Sequence, residues 1–228
     1  MLVPSRFTHR LLPVLAVVLA STLSTGTVAA QTPAPETGTG WSQPDTLRIA
    51  KEIQKKLGGL ANYSVFDWIT FGFHDKTVVL KGYASRPILK TEAGNAIKGI
   101  PGVEGVDNQI EVLPYSMMDD RIRGAVYNRI YTQPALRRYN AYQGTNRQAI
   151  APGPSIARMA GGITADPPMG FNAIHIIVEN GNVALYGVVD SESDAAIADM
   201  QAKSTPGTFS VENYLMVPPK PPKADKKK

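Results

Sequence analysis

The 228-residue chain contains no cysteine. That absence removes disulfides, thiolate metal sites, a thiol nucleophile and a lipoprotein acylation site together. Histidine is scarce as well: of three, one lies within the first ten residues, leaving His74 and His175. There is no glycine-rich phosphate loop, no G-x-S-x-G and no H-E-x-x-H, so phosphoryl transfer, serine hydrolysis and zincin chemistry lack their side chains. Neither an enzyme nor a bound cofactor or metal is expected. Long apolar runs are missing beyond Leu11 to Ala20. That run follows Arg6 and Arg10, with no acid among them, and gives way to small residues ending Val28-Ala29-Ala30. The layout is that of a secretory signal peptide over residues 1–30, cleaved after Ala30. Ten apolar residues are short for a bilayer span, which makes an uncleaved anchor the weaker alternative.

Positive charge is also less abundant than the net +5 at pH 7 suggests. The N-terminal segment carries two of those charges, and the tail Pro218 to Lys228 has five lysines against one aspartate, which leaves a net −1 for the remainder. A body so near neutral gives no reason to expect a nucleic-acid partner. The tail, with Lys220, Lys223, Lys226, Lys227 and Lys228, cannot bury apolar surface and reads as a solvated extension. It is a solubilising end or a loose contact with anionic phospholipid, at about 1 kcal/mol per basic residue near such a surface.

What is present is a repeat. An offset of 105 residues aligns Phe66–Leu113 with Phe171–Pro218 without a gap. Phe66, Ile69, Val78, Leu80, Gly82, Ala93, Lys98, Pro101, Gly102, Val106, Asn108 and Val112 recur as Phe171, Ile174, Val183, Leu185, Gly187, Ala198, Lys203, Pro206, Gly207, Val211, Asn213 and Val217. Twelve identities over forty-eight positions point to duplication. In the first copy Ile69, Phe71 and Phe73 alternate, Asp75-Lys76 turns the chain, and Val78 and Leu80 lead into Gly82. In the second, Ile174, Ile176 and Val178 alternate before Asn180-Gly181, a strong two-residue hairpin signal. Each is predicted to be a β-hairpin with one buried face. Ser85 and Ser191 stand where N-caps belong, Leu89, Ala93 and Ile97 mark an apolar helical stripe, and Pro101-Gly102 and Pro206-Gly207 end the helices. A closing strand carries Val106, Ile110 and Val112, or Val211, Leu215 and Val217.

Upstream lies another amphipathic helix in each copy, with Ile49, Ile53 and Leu57 against Ile122, Val126 and Ile130, now at an offset of 73. Roughly thirty residues are therefore inserted in the second copy, over about 132–170. The fold class is α+β: two α-β-β-α-β modules, each a three-stranded sheet with two helices packed on one face. The domains are 44–114 and 118–217, preceded by a linker at 31–43 and followed by the tail at 218–228.

The stretches Thr77-Val78-Val79-Leu80-Lys81-Gly82 and Pro101-Gly102-Val103-Glu104-Gly105-Val106-Asp107-Asn108-Gln109-Ile110-Glu111-Val112 resemble the BON domain of bacterial envelope proteins, as do Gly181 to Gly187 and Ser210 to Val217. Thr208-Phe209 replaces the apolar residue expected after Pro-Gly, so the second unit is the more divergent. The resemblance implies an exported, non-catalytic tandem protein like the osmotically inducible periplasmic members. The family roles it brings are binding phospholipid or envelope surfaces, or acting as a periplasmic chaperone or interaction scaffold. Envelope or osmotic stress protection is the implied setting. It transfers no catalytic residue. It does transfer Gly82 and Gly187, best read as bends where a side chain would clash, and Asn108 and Asn213, best read as bonded to backbone.

The remaining candidates are weaker. His74 and His175 occupy non-equivalent places, which argues against a shared metal or acid–base site. His175 falls on the strand face opposite Ile174 and Ile176. Asp119-Asp120 is expected to cap a helix. The insertion carries Arg137, Arg138, Tyr139, Tyr142 and Arg147, amphipathic side chains suited to a headgroup layer or a protein client; a loop that merely tolerates length is an equal reading. Residues 156–159 are a candidate helical turn. No carboxylate cluster supports a cation-sensing role.

Overall fold

The structure, a computed structural model, describes residues 40–140, 162–165, 167–168 and 172–219. The signal segment, the turn expected at 156–159, Tyr142, Arg147 and the five tail lysines lie outside them. In chain order the elements are α1 (Gln43–Gly58), β1 (Trp68–His74), β2 (Thr77–Ala84), α2 (Pro87–Lys98), β3 (Gly105–Asn108), β4 (Glu111–Val112), α3 (Met117–Thr132), β5 (Ile174–Glu179), β6 (Asn182–Val188), α4 (Glu192–Lys203) and β7 (Ser210–Met216). This is the expected α+β duplication.

In each module a hairpin forms two antiparallel strands, and the chain crosses through a helix to lay the third strand parallel to the second. In the first module that third strand is in two pieces, β3 and β4, both beside β2. The interruption falls after Asn108, whose Nδ2 donates to the Lys90 carbonyl (2.8 Å) while its Oδ1 accepts the Ile110 N–H (3.3 Å). Asn213 repeats both bonds with Ala195 and Leu215, at 3.0 and 3.1 Å. Each asparagine thus ties the edge strand to the helix above it.

The helical stripes fill the cores as expected. Ile49, Ile53 and Leu57 of α1 meet Leu89, Ala93 and Ile97 of α2 over Ile69, Val78 and Leu80. Ile122, Val126 and Ile130 of α3 take the same place over Ile174, Ile176, Val178, Val183 and Leu185. Gly82 and Gly187 have φ of +119° and +133°, and a Cβ there would overlap the carbonyl oxygens of Trp68 and Ala173. Only glycine lets the backbone pass so close.

Four expectations are corrected. Ser191 caps α4 through its side chain, but α2 is capped by Arg86 with Pro87 at its first position; Ser85 bonds the buried Asp67 instead. Ser116, and not Asp119 or Asp120, caps α3, while both aspartates stand in its first turn, where the helix dipole favours them. Residues 41–43, read as linker, belong to the first module: Trp41 Nε1 donates to the Gly102 carbonyl at 2.8 Å, its ring meets Phe73 edge-on, and α1 begins at Gln43. Finally, β5 of the second hairpin has no solvent face, because every one of its residues is buried. Its outer side is covered by the first module.

Candidate functional site

Of the candidate interface residues, Arg138 and Tyr139 form an internal clamp. Arg137, Arg138 and Tyr139 make a short 3₁₀ turn after α3. The Arg138 guanidinium bonds Asp190 (3.1 Å) and Asp194 (2.5 Å) and lies 4.9 Å from the centroid of the Tyr139 ring. Tyr139 is buried, donates to Asp194 (2.8 Å) and accepts the Asp190 N–H (2.8 Å). Burial pushes the Asp194 carboxyl up, but bonds from Ser191 and Tyr139 and the Arg138 charge outweigh it and hold the pKa below its ordinary value. Tyr139 is therefore not available to a partner, which corrects its reading as an interface side chain. Arg137 remains exposed and bonds the Thr132 carbonyl through Nε at 3.3 Å.

A buried polar group at the other end of α3 docks the end of the insertion. Asp120 accepts from Thr164 through both N–H and hydroxyl, and Arg123 reaches the Thr164 hydroxyl (3.2 Å) and the Val178 carbonyl (2.7 Å). Residues 162–165 are helical there.

The two modules meet through the outer faces of their sheets. Leu113, Ile177, Ala184 and Tyr186 form the buried seam, with Trp68, Tyr83 and Tyr214 against it. Trp68 stacks on Tyr186 with centroids 5.7 Å apart, and Tyr186 on Tyr214 at 4.9 Å. His175 is enclosed in this seam between Tyr63 (5.4 Å) and Trp68 (5.2 Å). The segment before β1 also crosses over. Val65 accepts the Ile176 N–H at 2.8 Å, and Val65 and Phe66 lie in the core of the second module.

At one end of the second module a surface of opposite character is assembled. Asp119 accepts the N–H groups of Asn180 (3.0 Å) and Gly181 (2.8 Å), and the Gly181 carbonyl accepts the Phe209 N–H (2.7 Å). These bonds bring the start of α3, the β5–β6 turn and the segment before β7 together. Met117, Met118 and Phe209 stand exposed there at 65%, 60% and 74%, and Arg121 is exposed one helical turn along from the methionines. Large apolar side chains do not gather at an exposed corner without a partner as readily as they scatter singly.

Comparison with known proteins bears on what such a body is. The profile of the BON domain matches residues 47–114 and 161–219, more than half of the chain. The chain belongs to the BON family. BON domains are generally non-enzymatic binding domains, and no catalytic family is indicated. No curated protein matches the chain. Among solved structures, the C-terminal domain of CdsD, the structural protein of the type III secretion system of Chlamydia trachomatis, is similar at 15% identity over 78% of this chain and 100% of that one, with a TM-score of 0.23. A second structure of CdsD is similar at 14% identity over 76% of this chain and 93% of that one, again at 0.23.

Within the tandem, the glycines and asparagines shared by the two BON domains are structural: they shape a bend and tie down an edge. The exposed corner belongs to the second domain alone, and sequence reasoning missed it. In the sequence Phe209 stands out as a departure from the family pattern, and Met117 and Met118 belong to no recognisable motif. Among the described residues no helix is long and apolar enough to cross a membrane.

Proposed function

We propose that this tandem BON protein is exported to the periplasm through its first thirty residues and binds anionic phospholipid at the envelope, in a non-catalytic role. The observation that carries the reading is the corner of the second domain, where Met117, Met118 and Phe209 stand exposed beside Arg121. Apolar side chains of this kind enter the headgroup–acyl boundary, and a neighbouring guanidinium meets phosphate. The basic tail adds an electrostatic contribution that salt screens. The two domains share a packed seam and would present one body to the surface.

Co-sedimentation of residues 31–228 with vesicles tests this. Binding to phosphatidylglycerol-containing vesicles at low salt is expected, with weak binding to phosphatidylcholine alone. Phe209→Asp with Met118→Asp should reduce binding at least tenfold, and removal of residues 218–228 should reduce it and flatten its salt dependence. No binding to anionic vesicles at low salt would reject the reading. Suppression of client aggregation that the corner variants abolish, without lipid binding, would favour the chaperone or scaffold alternative.

A further inference from the structure

His175 is the buried titratable group for which neither the fold nor the proposed surface has a use. It stands on the outer face of β5, opposite Tyr186 in register, and is 8% exposed. Its Nδ1 has no hydrogen-bond partner. The rings of Tyr63 and Trp68 close over it from the first domain. Those two rings flank the segment that crosses between domains, where Val65 receives the Ile176 N–H and Phe66 enters the second core.

We propose that His175 is a proton-sensitive latch: the two BON domains are held together while its imidazole is neutral, and its protonation releases the Ser64–Trp68 segment and opens the seam. None of the titratable and charged groups around it is hydrogen-bonded to its Nδ1. From the segment before β1 come Tyr63, a phenol, and Asp67, whose carboxylate is already occupied by Ser64 and Ser85. From β6 comes Tyr186, and along β5 on the same face comes Glu179, four residues away. Burial drives the imidazole pKa down to about 4, against the smaller upward pull of the Ser64 and Asp67 backbone. In the open form the ring is solvated and regains its ordinary value of 6.5. The sign follows. With the closed-state pKa depressed, the seam keeps its full strength above pH 6.5 and loses it as pH falls from there towards 4.

The Ile176 amide reports the seam directly, since its hydrogen bond crosses between domains. Hydrogen exchange by NMR on the full mature chain, corrected for intrinsic rates, should show its protection falling by about a hundredfold between pH 7 and pH 4. Amides of α1 should hold. His175→Gln should make Ile176 protection nearly independent of pH over that range. Unchanged Ile176 protection in the wild type, or an equal fall in His175→Gln, would overturn the proposal. Should that variant not fold, the wild-type ring decides: His175 titrating well below 6.5 in step with loss of Ile176 protection supports the latch, and titration near 6.5 with the amide unaffected overturns it. The readout involves no lipid, so it stands or falls separately from membrane binding.

Discussion

Phe66 of the first BON domain packs against Tyr127 of the second, ring centroids 6.3 Å apart and planes at 67°. Phe66 is wholly buried, and its neighbours belong to the second core, not its own. The two domains are therefore coupled by a side chain that one lends to the other. Phe66→Ala should destabilise the second domain by about 3–5 kcal/mol, the usual cost of removing a buried phenylalanine. Denaturant unfolding followed by tryptophan fluorescence and by far-UV circular dichroism should change from one shared transition to two that separate.

Gly82 and Gly187 sit at positive φ against a neighbouring strand's carbonyl. Gly82→Ala and Gly187→Ala should each cost about 2 kcal/mol or more, because backbone must move to admit the methyl. Thermal melts measure this. Gly82→Ala, at a distance from the lipid-binding corner, should leave vesicle affinity unchanged at temperatures where the protein stays folded.

Asn213 spends its amide on a helix carbonyl and on the N–H two residues along its own strand. Asn213→Ala leaves both groups without that partner and should cost about 1–3 kcal/mol. Exchange protection should fall first at the Leu215 amide.

The clamp at Asp194 gives a pH dependence of the same sign as that of His175, displaced to lower pH. Its folded-state pKa lies below the ordinary 3.8, so the stability it contributes is complete above that value and fades as pH falls through the folded pKa. Asp194→Asn should lower stability at pH 7 and flatten the acid limb of the stability curve. Arg138→Ala should do the same to a smaller extent, since its guanidinium is half exposed.

Much of the fold was legible because single-module packing writes itself into local pattern. Alternation at Ile69, Phe71 and Phe73, the four-residue spacing of Leu89, Ala93 and Ile97, and the repeated Pro-Gly all report a chain folding on itself. The seam was not legible, because period-two alternation tells which face of a strand is buried by its own helices and says nothing about a second module on the other face. One signal was available: His175-Ile176-Ile177-Val178 runs nearly without polar interruption, as strands buried on both sides do, whereas β1 alternates. Phe66 misled in another way. It matches Phe171 in the repeat, yet serves the neighbouring core, since aligned positions preserve residue type but not partner. Ser85 misled because the residue aligned with the true cap, Ser191, is Arg86. The corner of Met117, Met118 and Phe209 joins residues some ninety positions apart, and only the Asp119 and Gly181 bonds bring them together.

The most direct measurement of the lipid-binding claim uses the absence of cysteine. Phe209→Cys and, separately, Ile88→Cys each create a single attachment point for an environment-sensitive fluorophore, Ile88 being an exposed position of the first domain. On anionic vesicles at low salt, the label at 209 should shift to the blue and the label at 88 should not, with neither shifting on neutral vesicles. A label at 209 that stays in water while the protein sediments with vesicles, or equal shifts at both positions, would contradict binding through the second domain's corner.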